Sequence, residues 1–169
     1  MMRIFVNEGE RIMTNTVPMS QSRTIQTHLV LPPDTNHHET IFGGRVLSYI
    51  DEIGAITAMK HCNMPVVTAS IDSVDFLSSA RVGDVLEMEA IVTSTGRTSM
   101  EVYVRVQSMN LLTGETKLTT ESFLTFVAIV EGKPMLVPGI VPETEDEQRL
   151  FESGPARREH RKQRIQMKY

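Results

Sequence analysis

The sequence predicts an α+β domain in which a curved antiparallel sheet packs on one long, buried helix. Three observations carry this. Residues 44–61 repeat apolar and small side chains at the i, i+3, i+4, i+7 spacing of a helix. Four strand-like runs follow, joined by short glycine-containing links that favour antiparallel hairpins. The chain is 169 residues long, enough for one domain with a real core.

Residues 1–19 show no periodicity and read as a loose leader, expected to be disordered. Thr24–Leu31 (TIQTHLVL) alternates as a strand does, and Pro32-Pro33 stops it. DTNHHETIFGG is then a loop of turn formers ending in two glycines. In the helix from Gly44 to about His61, one stripe is Val46, Ile50, Ile53 and Thr57. A second is Gly44, Leu47, Asp51, Gly54, Ala55 and Ala58. Together they cover most of the circumference, which predicts burial rather than a surface position. Pro65 lies safely beyond the helix end.

The strand runs are Val66–Leu77, Val85–Thr95, Ser99–Met109 and Leu118–Val130. In the third, Met100, Val102, Val104 and Val106 fall on one face and Glu101, Tyr103, Arg105 and Gln107 on the other. Residues 20–137 thus form the domain, and residues 138–169 a linker and a basic helical extension. Glu143–Phe151 reads as a short helix with acids in its first turn. Gly154-Pro155 should break it, with a second helix over Ala156–Met167.

Composition excludes several classes. Hydrophobic residues are 40% and charged residues 22%, ordinary for a globular protein. No apolar run approaches the ~20 residues of a membrane helix. The start, MMRIFVNEGERI, is no secretory signal. Cys62 is the single cysteine, so no intrachain disulfide forms, which suits a reducing cytoplasm. The net charge of −4 hides a split: residues 154–169 carry +5 and residues 1–153 carry −9. An acidic body argues against nucleic acid as a partner. The basic end is either a solvated helix or a contact for phosphate.

Asp51 is the most informative candidate. On a stripe of small and apolar residues its carboxylate should be partly desolvated, which raises an aspartate above its usual pKa of ~3.9 and makes it a better base. A plain hydrogen bond to a neighbour explains it as well. Glu52 points about 100° away and ranks second. Gly43-Gly44 at the helix start would expose backbone N–H groups suited to a polarised carbonyl, or simply allow tight packing. Asn36 could donate to a carbonyl or hold a water, or close an Asx-turn. Gly96, Arg97, Thr98 and Ser99 form a polar corner that fits a phosphate or an ordinary hairpin. Asp72 shares strand parity with Val74 and Phe76, so it faces inward or pairs structurally. His37, His38 and Cys62 match no metal-ligand spacing, and no metal is expected. There is no Gly-x-Ser-x-Gly elbow, Walker loop or paired CxxC.

In order, DTNHHETIFGGRVLSYIDEIGA, TASIDSVDFL, VGDVL and TSTGRTSMEV resemble the hotdog-fold acyl-CoA thioesterases of the cytosolic acyl-CoA hydrolase type. The resemblance covers about residues 20–132. It implies a sheet wrapped around the central helix, dimers with a continuous sheet, further assembly such as a trimer of dimers, and a site at the dimer interface. It implies catalytic roles for Asn36 and Asp51 from opposite subunits, carbonyl binding by Gly43 and Gly44, and coenzyme A contacts at Gly96, Arg97, Thr98 and Ser99. By the same analogy, Arg157 and Arg158 become candidates for phosphate contact. The implied reaction is hydrolysis of acyl-CoA to a carboxylic acid and coenzyme A, with no cofactor, since coenzyme A belongs to substrate and product. No nucleic acid or membrane partner is implied. A non-catalytic acyl-CoA sensor and a hotdog dehydratase are the alternatives. The chain departs from the family at Glu39, often glycine there, and at Ser78-Ser79-Ala80, where a proline is common.

Overall fold

The computed structural model describes residues 15–167. In chain order the elements are β1 (Thr16–Pro18), β2 (Thr24–Leu29), α1 (Gly43–Cys62), β3 (Val66–Phe76), β4 (Asp84–Thr95), β5 (Ser99–Asn110), β6 (Thr116–Val130), β7 (Lys133–Pro134), β8 (Gly139–Val141) and α2 (Glu145–Gln166). The main sheet runs β2-β4-β5-β6-β3, all neighbours antiparallel, with β7 added to β6. It curls around α1, which touches every strand from β2 to β6. This is the α+β arrangement the sequence predicts.

Alternation places the core. Met100, Val102, Val104 and Val106 of β5 are fully buried, as are Leu86, Met88, Ala90 and Val92 of β4. Val46, Ile50, Ile53 and Thr57 of α1 are buried as well. Each of the valine, leucine, isoleucine and methionine side chains among them stabilises the fold by about 1.5–3 kcal/mol. Gly54 lets the helix approach the sheet: a Cβ there would lie 2.9 Å from the ring of Phe126. The second stripe of α1 is less covered than expected. Gly44 is exposed, and Leu47, Asp51 and Ala55 are half-buried within one chain. Helix α1 ends at Asn63, whose left-handed backbone (φ 54°) lets its N–H reach the Met59 carbonyl.

Two expectations are corrected. Residues 16–18 of the supposed leader form β1, paired in parallel with β8; residues 1–14 lie outside the described residues. The expected break at Gly154-Pro155 is absent, and α2 runs through Pro155 as one helix of 22 residues. An interior proline costs a helix about 3 kcal/mol. Here both halves are fastened to the outer face of the sheet. Gly154 seats against Ser94, 3.0 Å from where its Cβ would be. Arg157 bonds Glu101 Oε1 at 2.7 Å and stacks 4.2 Å over the Phe123 ring. Arg164 bonds Asp72 at 2.7 Å, and Arg161 lies 3.7 Å from the same carboxylate. Asp72 is therefore a structural pairing residue, sitting where β3 loses register with β6 between Ile71 and Val74.

Candidate active site

The loop before α1 is pinned at both ends. Phe42 N–H donates to the Asp34 carbonyl at 2.8 Å, and Arg45 Nε donates to Asp34 Oδ1 at 2.8 Å. Asn36 sits in this loop. Its carboxamide oxygen accepts from His38 N–H at 2.9 Å and from Thr40 Oγ1 at 3.2 Å. The Asx-turn reading of Asn36 is thus correct, and it fixes the amide orientation. With the oxygen occupied, the Nδ2 amino group is the part left to donate to something else. Glu39 adopts φ 59°, the left-handed region that favours glycine.

Helix α1 starts at Gly43 with no side-chain cap. Its first intrahelical donors are Arg45 and Val46, both reaching the Phe42 carbonyl. The N–H groups of Gly43 and Gly44 therefore point out of the helix start without an intrahelical acceptor. Two phenylalanines flank them. The Phe76 ring lies 3.2 Å from where a Gly43 Cβ would be, and the Phe42 ring 3.4 Å from that of Gly44.

Asp51 lies two turns further along, half-buried on the side of α1 that meets β3. Its Oδ1 accepts a 2.7 Å hydrogen bond from Thr68 Oγ1 of β3. Among the described residues Oδ2 accepts none, so one oxygen is held and the other is available. Thr68 escaped the sequence reading. Its signal is a hydroxyl at the head of the TASIDSVDFL strand, but nothing in its own spacing points to the helix. Glu52 is exposed.

Distance along the helix separates these groups. Gly44 and Asp51 are seven residues apart, about 10 Å at ~1.5 Å per residue. A base and an oxyanion pocket acting on one carbonyl must lie within about 3–3.5 Å of the reacting atoms. Asn36 also shares no hydrogen bond with Asp51.

The polar corner at 96–99 is a tight hairpin, with Gly96 N–H donating to the Ser99 carbonyl at 2.8 Å. The guanidinium of Arg158 stands over it, 3.4 Å from the Cβ position of Gly96. Arg158 and Lys162 also line a pocket with Ser94 and Thr95. The structure thus joins Arg158 to Gly96 and directs Arg157 elsewhere, into Glu101. Arg97 is exposed and Thr98 half-buried. His37 and His38 are exposed, with rings 3.8 Å apart. Cys62 is buried, and burial pushes its thiol pKa up. Among the described residues no three His, Cys, Asp or Glu side chains gather at a metal-sized site. No helix of the described residues is long and apolar enough to cross a membrane.

The sequence pattern of the Thioesterase superfamily matches residues 38–113. The chain is 48% identical, over 85% of its length and 84% of the relative's, to the uncharacterized acyl-CoA thioester hydrolase YkhA of Bacillus subtilis. A crystal structure of an apo-hexameric acyl-CoA thioesterase is 68% identical, with TM-score 0.88, over 90% of this chain and 99% of that one. An acyl-CoA hydrolase from Staphylococcus aureus, solved with butyryl coenzyme A, coenzyme A and coenzyme A disulfide, is 46% identical, with TM-score 0.83, over 88% of this chain and 91% of that one. Variants of the Staphylococcus enzyme with an asparagine, an aspartate or a threonine changed to alanine have also been solved. Fold, motifs and relatives agree: the chain belongs to the thioesterase superfamily, among the hotdog-fold acyl-CoA hydrolases.

Proposed function

We propose that the protein hydrolyses acyl-CoA to a carboxylic acid and free coenzyme A at a site shared by two subunits. One subunit supplies the Gly43 and Gly44 N–H groups and the Asn36 amide, which bind the thioester carbonyl or the attacking water. The other supplies Asp51. The observation that carries this division is the ~10 Å rise between Gly44 and Asp51 on one helix. The three residues altered in the Staphylococcus enzyme support the choice of Asn36, Asp51 and Thr68, because they are spaced along their chain as these three are along this one.

In this scheme Thr68 holds Asp51 Oδ1 and Oδ2 takes a proton from water. The hydroxide adds to the carbonyl carbon, and the oxyanion forms against the helix-start N–H groups. The carbon–sulfur bond then breaks, and the proton on Asp51 passes to the departing thiolate. Direct attack by Asp51 on the carbonyl is the variant of this route. No cofactor enters, since coenzyme A is part of substrate and product. In this scheme Arg158 and the 96–99 corner meet its phosphates, a reading supported by the Arg158 guanidinium standing over Gly96.

Among the described residues, strand β3 has β6 on one side and an open edge on the other, where Val67, Thr68 and Phe76 are exposed. We assign this edge to the partner, giving one sheet continuous across the dimer. Assembly into a trimer of dimers accords with the hexameric relative. The compartment proposed is the cytoplasm, and neither nucleic acid nor a membrane is assigned as a partner.

Thiol release from acetyl- to palmitoyl-CoA tests the reading. Asp51→Asn is expected to lower kcat by about 10²–10⁴-fold while coenzyme A binding and oligomeric mass stay unchanged. A near-normal kcat in this variant would sink the assignment of Asp51. Tight coenzyme A binding by the unaltered protein with no thiol release from any chain length supports the sensor instead.

A further inference from the structure

A crevice opens beside the helix start. Gly43 forms its rim, Ile41 and Val46 its floor, and Phe76, Leu77 and Thr119 its walls. Ile41, Val46 and Thr119 are buried, whereas the Phe76 ring is 55% exposed within one chain. Its volume, about 450 Å³, falls in the ~300–1,000 Å³ range of small-molecule sites. The Phe76 ring is the side chain that crowds the rim, 3.2 Å from the Cβ position of Gly43.

Thr119 is 1% exposed and ties the wall to the end of β3, its backbone carbonyl accepting from Leu77 N–H at 2.8 Å. Ser78 and Ser79 complete the lining, with Ser78 Oγ donating to the Leu118 carbonyl at 2.8 Å. The crevice therefore offers an apolar floor beside the helix start at Gly43.

We propose that this crevice takes the acyl chain of the substrate and that Phe76 sets which chains it admits. The inference rests on the hydrolase reading and deepens it. A thioester carbonyl bound at Gly43 and Gly44 has its sulfur on one side and its first acyl carbons on the other. With the coenzyme on the open side, those carbons enter beneath Phe76. A large ring at the rim narrows the entry, so Phe76 acts as a specificity residue in contact with substrate.

The test is a chain-length profile of kcat/KM, from acetyl- to palmitoyl-CoA, for Phe76→Ala, Phe76→Trp and Ile41→Ala. Phe76→Ala is expected to raise the long-to-short ratio about tenfold or more, and Phe76→Trp to lower it. Ile41→Ala, which deepens the floor, is expected to raise the ratio severalfold. Ile41 lies off β3, so it remains decisive if changes at Phe76 alter oligomeric mass. Profiles that keep their shape in all three variants overturn the proposal and leave the hydrolase reading standing. Absence of thiol release in the unaltered protein overturns the hydrolase reading itself.

Discussion

The two helices are nearly equal in length, 20 and 22 residues, but they are held by opposite means. Helix α1 presents Val46, Ile50 and Ile53 to an apolar sheet face and approaches it closely at Gly54. Helix α2 lies on the opposite face, where β5 puts Glu101 and β3 puts Asp72. It answers them with Arg157, Arg161 and Arg164. Apolar contact is non-directional and tolerates small shifts. Charge-assisted hydrogen bonds fix register. The difference teaches why α2 survives a proline: its register is set by arginines on the sheet rather than by an unbroken backbone ladder.

The largest test of this contrast is Glu101→Ala. The carboxylate is 4% exposed and also accepts from Thr93 Oγ1 at 2.9 Å. Its loss leaves Arg157 unpaired, and a cost of about 3–5 kcal/mol is expected in denaturant unfolding. A cost below about 1 kcal/mol would mean that apolar contacts hold α2 as they hold α1. Gly54→Ala probes the other side. The added methyl meets the buried Phe126 ring, and overpacking of this kind costs about 1–3 kcal/mol, with little dependence on salt.

Smaller effects separate structure from function within α2. Arg158→Glu should leave stability nearly unchanged but raise KM for acyl-CoA, more at low salt than at high salt. A KM that stays constant at both salts would make Arg158 a solvated residue. The smallest expected effect is at His61. It is buried at the end of α1, with Nε2 bonded to the Pro138 carbonyl at 2.9 Å. Burial lowers its pKa below the ordinary value. The unfolded chain then binds the proton more readily. Stability is full above the unfolded pKa of ~6.5 and falls as pH drops toward the folded value. Tm measured from pH 7.5 to 5.5 should fall less steeply in His61→Gln.

Periodicity made the inner half of this protein legible. The clean alternation in β5 and the spacing of Val46, Ile50 and Ile53 follow from burial on one face, and they appear in the structure as read. The outer half was less legible, because α2 covers Glu101, a residue that alternation alone assigns to solvent. Pairings of Glu101 with Arg157 and of Asp72 with Arg164 join residues far apart in sequence, which local spacing does not reveal. The same holds at the site. Asp51 and Gly43-Gly44 stand out on one helix. Thr68 becomes visible only when β3 is laid beside that helix. Glu39 shows the reverse case: its left-handed backbone favours glycine, yet the chain carries a glutamate there.

The rise between Gly44 and Asp51 has a consequence for quantity as well as geometry. Thr68 turns the Asp51 carboxylate toward the edge strand β3, two helical turns from Gly44. Under the cross-subunit arrangement, turnover becomes a property of pairs, governed by mass action. Dilution below the dimer's dissociation constant would silence the protein. Two inactive chains, one carrying Asp51→Asn and the other Asn36→Ala, would regain a working site on mixing, since each supplies what the other lacks.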